Sequence, residues 1–463
     1  MGSAAAPRRS ARDRALHVLL ACRDGMRFGG QVLGELQAAE PLSDKDAALA
    51  AELVIGVGRH RITAEHIVSR FYRGRWAGLR EPIRLILALA TYQLCWLDRI
   101  PDHAAIDQAV RQTKRYGRYA ASNVNAVLRQ VAACRGDPLD RTDDADPRRF
   151  LPIGGGRGRL VQEDVFPDPA RRPLEFLVAV TGHPPWLVER WHRRFKPALC
   201  RVICDAGQRR PPLVLRANPL RATPDELFGR LSDEGRHPER IAGTDAILLR
   251  DCSVVAELAA FREGFCQPQD STAQIALKLA DPKRGELVLD YCAGAGTKST
   301  QAAELMVNEG LVIATDRSSE QLARINENAA RLGIGIIQSV EKEALADCMT
   351  ATDRAPDLIV IDVPCTNTGV LARRPEARYR ASHRSLMELV EIQRGILEEA
   401  AAFAGPRTRL IYATCSLEEE ENERQAAWFC ESHAGWRIER EAFTTPNDDR
   451  DGGYAVLLAR TSL

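Results

Sequence analysis

The sequence predicts a multidomain protein in which an all-α domain precedes an α/β domain with a doubly wound sheet. Three observations predict this fold class. Apolar residues recur at helical spacings of three and four through the first 134 residues, where strand signals are nearly absent. Turn-forming residues then interrupt the chain, and from about residue 270 short apolar strands alternate with helices.

The helical domain is expected to span residues 1–134. Its predicted helices cover residues 11–20, 44–57, 63–71, 81–97 and 103–116. Ser43 or Asp44, and Asp102, stand where helix caps are favoured. The domain holds 20 Lys+Arg, almost all arginine, against 12 Asp+Glu. This excess suits contact with nucleic-acid phosphates, although arginine richness can also reflect genome composition.

Residues 135–173 are expected to form a partly mobile linker. The acidic run at 143–146 and the glycines at 154–158 are turn and linker material. Residues 174–268 then alternate helix and strand, which predicts a small α/β subdomain.

Composition excludes several classes of protein. No apolar run approaches the roughly 20 residues of a membrane span, and residues 1–9 lack the apolar core of a secretion signal, so a cytoplasmic protein is expected. Twelve cysteines in 463 residues are too few and too scattered for a disulfide scaffold. Cys200 and Cys204 favour a buried helical pair over metal ligands, and no metal site is expected.

Residues 269–463 show the β-α-β series of a Rossmann-like domain. The strands are predicted at 287–290, 311–315, 358–361, 410–412 and 456–459, with helices at 297–306 and 319–332.

A glycine-containing loop follows the first of these strands. Asp290 ends the strand, Gly294-x-Gly296 follows, and a helix begins directly afterwards. Asp316 closes the second strand 20 residues after Gly296, the position of a carboxylate that grips ribose hydroxyls. The pattern favours adenosine binding. The missing third glycine argues against a dinucleotide and leaves room for S-adenosylmethionine.

Two cysteines follow two later strands. Cys365 comes after strand 358–361, and Cys415 comes after strand 410–412. Two thiols at one sheet edge, beside a cofactor loop, suggest covalent chemistry on a weak electrophile such as a pyrimidine ring. Lys298 is one of seven lysines; it is either a solvated surface residue or a cation near the reacting thiol or the cofactor.

A helix is expected to start directly after Cys415. Residues 416–419 match a capping box, which would place the thiol at a helix mouth where the dipole favours thiolate. The acidic run 418–421 opposes this effect unless its side chains point to solvent.

The combined motifs resemble the RNA cytosine-5 methyltransferases. They are Asp290-x-Cys292-Ala293-x-x-Gly296-x-Lys298, Asp362-x-Pro364-Cys365 and Thr414-Cys415-Ser416, flanked by Gln269-Asp270 and Asp451-Gly452-Gly453-Tyr454. The N-terminal half resembles the Sun/Fmu-type enzymes of bacterial 16S ribosomal RNA, which carry a NusB-like helical domain. The matching residues there are Glu52-Leu53-Val54-x-Gly56-Val57-x-Arg59, Tyr92-Gln93-Leu94, Pro101-x-His103 and Asn125-Ala126-Val127-Leu128-Arg129. The resemblance covers nearly the whole chain except the linker.

The resemblance implies an S-adenosylmethionine-dependent enzyme that methylates carbon 5 of a cytosine in small-subunit ribosomal RNA. Cys415 would be the nucleophile that adds to carbon 6, and Cys365 would help break the covalent adduct. Asp362 would hydrogen-bond the amino edge of the base, and Lys298 would place its cation near the reacting thiol or the cofactor. The target base must leave its stack, so single-stranded or loop RNA, recognised with the help of the NusB-like domain and the small subdomain, is the expected substrate. A monomer is expected.

The resemblance also implies a set of cofactor-binding residues, which are Cys292, Ala293, Gly294, Ala295, Gly296, Thr297, Lys298, Asp316, Glu343 and Asp362.

The chain departs from the family pattern in three places. Thr297 adds a side chain where backbone usually approaches the cofactor, Asn367 replaces a small residue, and the acid near the adenine is either Glu343 or Asp347. Two other functions remain open, which are a non-enzymatic RNA-binding regulator and a cytosine-5 methyltransferase of transfer RNA.

Overall fold

The computed structural model describes residues 10–22, 27–117, 119–140, 145–252 and 254–460. Residues 1–9 and part of the acidic run predicted as linker, residues 143 and 144, lie outside the described residues. The chain divides into two compact units, Met1–Arg210 with Leu371–Arg380, and Pro211–Val370 with Ala381–Leu463. Within the described residues, none of the helices combines the length and apolar character needed to span a bilayer.

The first unit is mainly helical. Its helices are α1 (Ala11–Ala21), α2 (Gly29–Ala39), α3 (Asp44–Phe71), α4 (Glu81–Trp96), α5 (Asp102–Lys114), α6 (Ala120–Cys134), α7 (Pro173–Thr181), α8 (Pro185–Arg194), α9 (Pro197–Gln208) and the short α16 (Ala377–Arg380). Ser43 caps α3 as expected, whereas Asp102 is already inside α5, which Pro101 precedes. Cys200 and Cys204 are buried free thiols on α9, as predicted.

The two helices expected at 44–57 and 63–71 are one continuous helix, α3. Gly56 and Gly58 weaken the local helical signal. Gly56 has a packing reason, because the Tyr92 ring occupies the space that a Cβ would need. The tertiary contact therefore outweighs local propensity.

The expected linker instead contains a three-stranded antiparallel sheet. Its strands β1 (Arg135–Asp140), β2 (Phe150–Gly154) and β3 (Arg157–Val161) lie in the order β1-β3-β2. The glycines that suggested a linker form the β2–β3 turn, where Gly154 to Gly156 all have positive φ. Buried Arg159 ties β3 to α4 by donating to the Cys95 carbonyl at 2.9 Å. The unit also extends past the expected boundary at residue 174, since α7 to α9 belong to it.

The segment 371–380 is fixed within the first unit by one buried side chain. The Arg378 guanidinium donates to the carbonyls of Arg59, Gly182 and Gly207 at 2.8 to 2.9 Å. Burial lowers the pKa of Arg378 to about 10, so it remains a cation at neutral pH.

The second unit begins with a small α/β subdomain. Its antiparallel sheet has the order β5-β6-β4-β7. The elements are β4 (Leu213–Ala217), α10 (Pro224–Asp233), β5 (Pro238–Arg240), β6 (Ile247–Leu249), α11 (Ala259–Arg262) and β7 (Cys266–Pro268).

A seven-stranded sheet forms the rest of the second unit. Its strands are β8 (Leu287–Asp290), β9 (Leu311–Asp316), β10 (Ile337–Glu341), β11 (Leu358–Asp362), β12 (Arg409–Thr414), β13 (Trp436–Thr444) and β14 (Gly453–Arg460). The helices are α12 (Ser271–Ala280), α13 (Thr297–Leu305), α14 (Ser319–Leu332), α15 (Leu345–Ala351), α17 (His383–Ala401) and α18 (Glu423–Ser432). All five predicted strands are present.

The strand order is β10-β9-β8-β11-β12-β14-β13. Strands β8 to β12 pair in parallel, while β14 is antiparallel to both of its neighbours. Strand β9, which follows β8 in the chain, lies on one side of β8, whereas the later strand β11 lies on its other side. The carboxyl ends of β8 and β11 therefore form a topological switch point, where open α/β sheets bind ligands.

Candidate active site

The two predicted cysteines meet at the ends of adjacent parallel strands. Asp362 of β11 is paired with Ala413 of β12, so Cys365 and Cys415 emerge from the same sheet edge. Their sulfur atoms lie 3.3 Å apart. The hydrogen bond with Cys415 and burial raise the pKa of the Cys365 thiol well above its ordinary value, so Cys365 is held in its protonated form.

The cysteines differ in access. Cys415 is half-buried and lines a cavity of about 130 Å³ that also borders Lys298 and Asp362. Cys365 is buried and does not line that cavity. The accessible thiol therefore belongs to Cys415, with Cys365 directly behind it.

Asn367 touches both cysteines. Its side-chain Nδ2 donates to the Cys365 backbone carbonyl at 2.6 Å, and its Oδ1 lies 3.2 Å from the Cys415 sulfur. The residue has a φ of 60°, a left-handed conformation that asparagine tolerates better than most residues. The departure from the family pattern at this position is thus accommodated by the backbone.

The helix expected to start after Cys415 begins later. Helix α18 starts at Glu423, and Asn422 is its N-cap residue. Residues 416–421 form a partly buried loop in which the Thr414 and Ser416 hydroxyls accept from the backbone amides of Ser416 and Glu418. The capping-box prediction is wrong because these hydroxyls accept hydrogen bonds within the loop and do not cap the first turn of a helix. Glu418 and Glu421 of the acidic run are buried rather than solvated.

Lys298 is buried and forms an ion pair with Asp362. Its Nζ donates to Asp362 Oδ2 at 2.5 Å, and its side chain is 11% exposed. Burial alone lowers the pKa of Lys298, but the carboxylates of Asp362 and Asp290 outweigh that effect and raise it. Lys298 is therefore a cation at neutral pH. The Asp362 side chain remains 41% exposed and can still accept a bond from a ligand.

The glycine loop connects β8 to α13. Gly294 and Gly296 have φ of 54° and 78°, and Gly296 precedes α13 directly. The Gly294 amide donates to Asp316 Oδ2 at 3.0 Å, which ties the loop to the end of β9. Among the described residues, nothing lies within 4 Å of where a Gly294 Cβ would be. This open space and the remaining acceptor capacity of Asp316 fit a ribose-bearing ligand.

Thr297 and the two candidate acidic residues, Glu343 and Asp347, lie at two different strand ends of this sheet. Thr297 is the first residue of α13, where the helix offers free N–H groups. Glu343 and Asp347 are both exposed beyond β10, whose last residue Glu341 pairs with Asp316. Glu343 is thus the closer of the two, in sequence, to the strand end beside Asp316.

Sequence reasoning missed one cation at this edge. The Lys342 ammonium lies 2.7 Å from the centroid of the Tyr291 ring. Burial lowers its pKa to about 8. The sequence gives no signal for this residue, because Lys342 follows β10, a strand without a regular alternation of apolar and polar residues.

The glycine loop is also supported by contacts from the small subdomain. Arg216 of β4 forms a buried ion pair with Glu304 of α13, at 2.7 and 2.8 Å, and donates to the Thr297 carbonyl at 3.2 Å. On the other side, Asn328 donates to the Ala295 carbonyl at 3.1 Å and accepts from Arg331, which in turn donates to the Cys266 carbonyl of β7. The subdomain thus contributes directly to loop geometry.

Family comparisons match three parts of the chain. Residues 276–456 match the family described as 16S rRNA methyltransferase RsmB/F, and residues 9–133 match the NusB family. Residues 183–255 match the ferredoxin-like domain of methyltransferases that are RsmF/B-like.

Individual proteins match over most of their length. The probable ribosomal RNA small subunit methyltransferase B of Bacillus subtilis (strain 168) is 30% identical over 92% of this chain and 89% of its own. The ribosomal RNA small subunit methyltransferase B of Erwinia tasmaniensis is 30% identical over 91% and 92%. The solved structure of PH0851 has a TM-score of 0.71 at 21% identity, covering 99% of this chain and 100% of that chain. That of NSun6 from Pyrococcus horikoshii with SFG has a TM-score of 0.54 at 19% identity, covering 60% and 99%. These two structural likenesses concern the fold.

Proposed function

The chain belongs to the 16S rRNA methyltransferase RsmB/F family, and we propose that it methylates carbon 5 of a cytosine in 16S ribosomal RNA through a covalent adduct with Cys415. The observation that carries the proposal is the pair of thiols 3.3 Å apart, of which only Cys415 lines the cavity beside the Lys298–Asp362 ion pair. This difference in access supports Cys415 as the attacking thiol and Cys365 as the thiol that assists release.

The reaction begins at Cys415. Its thiolate adds to carbon 6 of the flipped cytosine, and the electron pair of the ring double bond becomes available at carbon 5. When bound, S-adenosylmethionine supplies the methyl group as an electrophile to that carbon. Asp362 accepts a hydrogen bond from the amino edge of the base, and Lys298 holds the carboxylate in place. Loss of the carbon 5 proton to solvent water then leaves its electron pair to re-form the ring double bond. The carbon–sulfur pair departs with Cys415 as a thiolate, to which the neighbouring Cys365 thiol can donate a hydrogen bond.

The proposed cofactor site uses the loop and the strand ends around it. Residues 292–298 would surround the methionine and adenosine parts, and Asp316 would bind the ribose hydroxyls. Glu343 is the proposed acid near the adenine. The helical domain and the small subdomain are proposed to bind the RNA of a cytoplasmic, monomeric enzyme.

Two cysteine variants test the proposal. In a strain that lacks the chromosomal gene, a plasmid copy of the wild type is expected to restore one 5-methylcytosine of 16S ribosomal RNA, whereas Cys415→Ala is expected not to restore it. Bisulfite sequencing detects the difference. Cys365→Ala is expected to accumulate a protein–RNA adduct, visible as a shifted band on a denaturing gel. If Cys415→Ala forms the adduct and Cys365→Ala forms none, the roles are reversed. If the lost 5-methylcytosine lies in transfer RNA, the proposed substrate is wrong.

A further inference from the structure

The cysteine loops are joined by a buried carboxylate in the acidic run. Glu421 is fully buried. Its carboxylate accepts from the Thr366 backbone amide at 2.9 Å and from the Thr366 hydroxyl at 2.5 Å. A buried carboxylate with several donors is a strong local constraint, because removing it leaves those donors without partners.

A buried glutamine completes the constraint on Cys365. Gln393 of α17 donates through Nε2 to Glu421 at 3.0 Å and to the Pro364 carbonyl at 2.9 Å. The peptide group before Cys365 is therefore bound by Gln393, and the one after it by Glu421. This leaves the Cys365 backbone with little freedom to move away from Cys415.

The same network reaches the Cys415 loop. The Thr366 hydroxyl lies 3.1 Å from the Ser416 hydroxyl, which is also 3.3 Å from the Thr368 hydroxyl. Thr368 accepts from the Leu417 amide at 2.9 Å. The Tyr412 hydroxyl donates to the backbone carbonyl of Glu421 at 2.7 Å, which fixes the Glu421 backbone to strand β12. All the hydroxyls involved are buried.

We propose that Glu421 and Gln393 are positioning residues that hold the Cys365 thiol against Cys415 and thereby set the rate at which the methylated base is released. The inference rests on the proposed cytosine adduct and extends it, because neither residue lines the cavity and the hydrogen bonds given above go to the backbone and hydroxyl groups around Cys365. Their effect is on the geometry of the second thiol. Addition to the base, which Cys415 performs, depends on them less than release does.

The test compares adduct lifetimes in purified full-length variants. Glu421→Ala and Gln393→Ala are expected to form the adduct at a rate near that of the wild type but to release it about 10- to 100-fold more slowly, the range expected when a reacting group is misplaced by about 1 Å. kcat and the KM for S-adenosylmethionine should fall together and leave kcat/KM unchanged, because release follows the irreversible methyl transfer. Glu421→Gln should restore most of the release rate, since an amide oxygen can still accept from the Thr366 amide.

Glu419→Ala is the matched control. Glu419 belongs to the same acidic run but forms a surface ion pair with Arg424, so its removal should leave release unchanged. Normal release in Glu421→Ala that still binds S-adenosylmethionine would overturn the inference, as would a Glu421→Gln variant as slow as Glu421→Ala. If Glu421→Ala does not fold, normal release in Gln393→Ala overturns it. Absence of any adduct in Cys365→Ala would instead count against the proposed reaction itself.

Discussion

The sulfur atoms of Cys365 and Cys415 lie 3.3 Å apart although the residues are 50 positions apart in the sequence. A shift of just over 1 Å would bring them to the roughly 2.05 Å of a disulfide bond. The two thiols are therefore close enough to form a disulfide after a small movement.

Mild hydrogen peroxide is expected to link the two cysteines. The Cys415 thiolate would be oxidised to a sulfenic acid, and Cys365 would displace water from it to form the disulfide. Peptide mass spectrometry should find the Cys365–Cys415 crosslink, and dithiothreitol should restore activity. Reversible inactivation without that crosslink, or a crosslink between other cysteines, would contradict the expectation. Cys365→Ala should instead carry higher oxidation states on Cys415.

Asn367 provides a stability test of the loop between the cysteines. Because its φ is 60°, Asn367→Ala keeps a Cβ in the left-handed region without the polar side chain by which asparagine tolerates it, which costs about 1 kcal/mol, whereas Asn367→Gly meets no such strain. Both variants lose the amide contacts equally. Urea unfolding should therefore show the alanine variant as the less stable of the two. Equal stability would mean that the loop relaxes to another backbone conformation.

Much of the sheet was predictable because buried parallel strands have continuous apolar runs. Leu287–Asp290 and Leu358–Asp362 are of this kind. Strand β13 was missed because it is an edge strand whose middle, with Arg437, Glu439, Arg440 and Glu441, is exposed and charged. The linker prediction was wrong because its glycines form a hairpin turn, which composition does not distinguish from a flexible segment.

The candidate site was predictable mainly where a residue lies at a strand end or shortly after it. Cys365, Cys415, Asp316 and Asp362 were found in this way, since parallel strands share an edge. Glu421 was not, because an acidic run after a hydroxyl residue looks like a solvated helix start. Its burial depends on a partner, Gln393, on a different element.

Asp290 predicts a pH dependence of stability. Burial raises the pKa of its carboxyl to about 6, against the partly compensating Ser299 hydrogen bond and Lys298 charge, with Asp362 and Asp316 also nearby. The folded state thus binds the proton more tightly than the unfolded chain, whose carboxyl has a pKa near 4. The contribution of Asp290 to the free energy of unfolding should fall as pH rises from about 4 to about 6.

In the wild type, the Ser299 hydroxyl donates to the Asp290 carboxylate at 2.6 Å. Asp290→Asn removes the titrating carboxyl and keeps a side-chain oxygen that can still accept this hydrogen bond. The difference in Tm between Asp290→Asn and the wild type should therefore shift in favour of the variant as pH rises from 4 to 6. Thermal unfolding monitored at several pH values measures it. A difference that does not change with pH would show that Asp290 does not titrate in this range.

Arg216 predicts that the small subdomain controls cofactor affinity. Its guanidinium donates to both carboxylate oxygens of Glu304 and to the Thr297 carbonyl at the start of α13. Removing one partner of a buried ion pair costs about 3–5 kcal/mol, and Arg216→Ala also frees the Thr297 end of the loop. We expect a lower Tm and weaker binding of S-adenosylmethionine by calorimetry. Glu263→Ala, which removes an exposed ion pair with Arg230 in the same subdomain, is the control that should leave both nearly unchanged. Unaltered affinity in a destabilised Arg216→Ala variant would restrict Arg216 to a structural role, because the loop would then keep its shape without the subdomain contact.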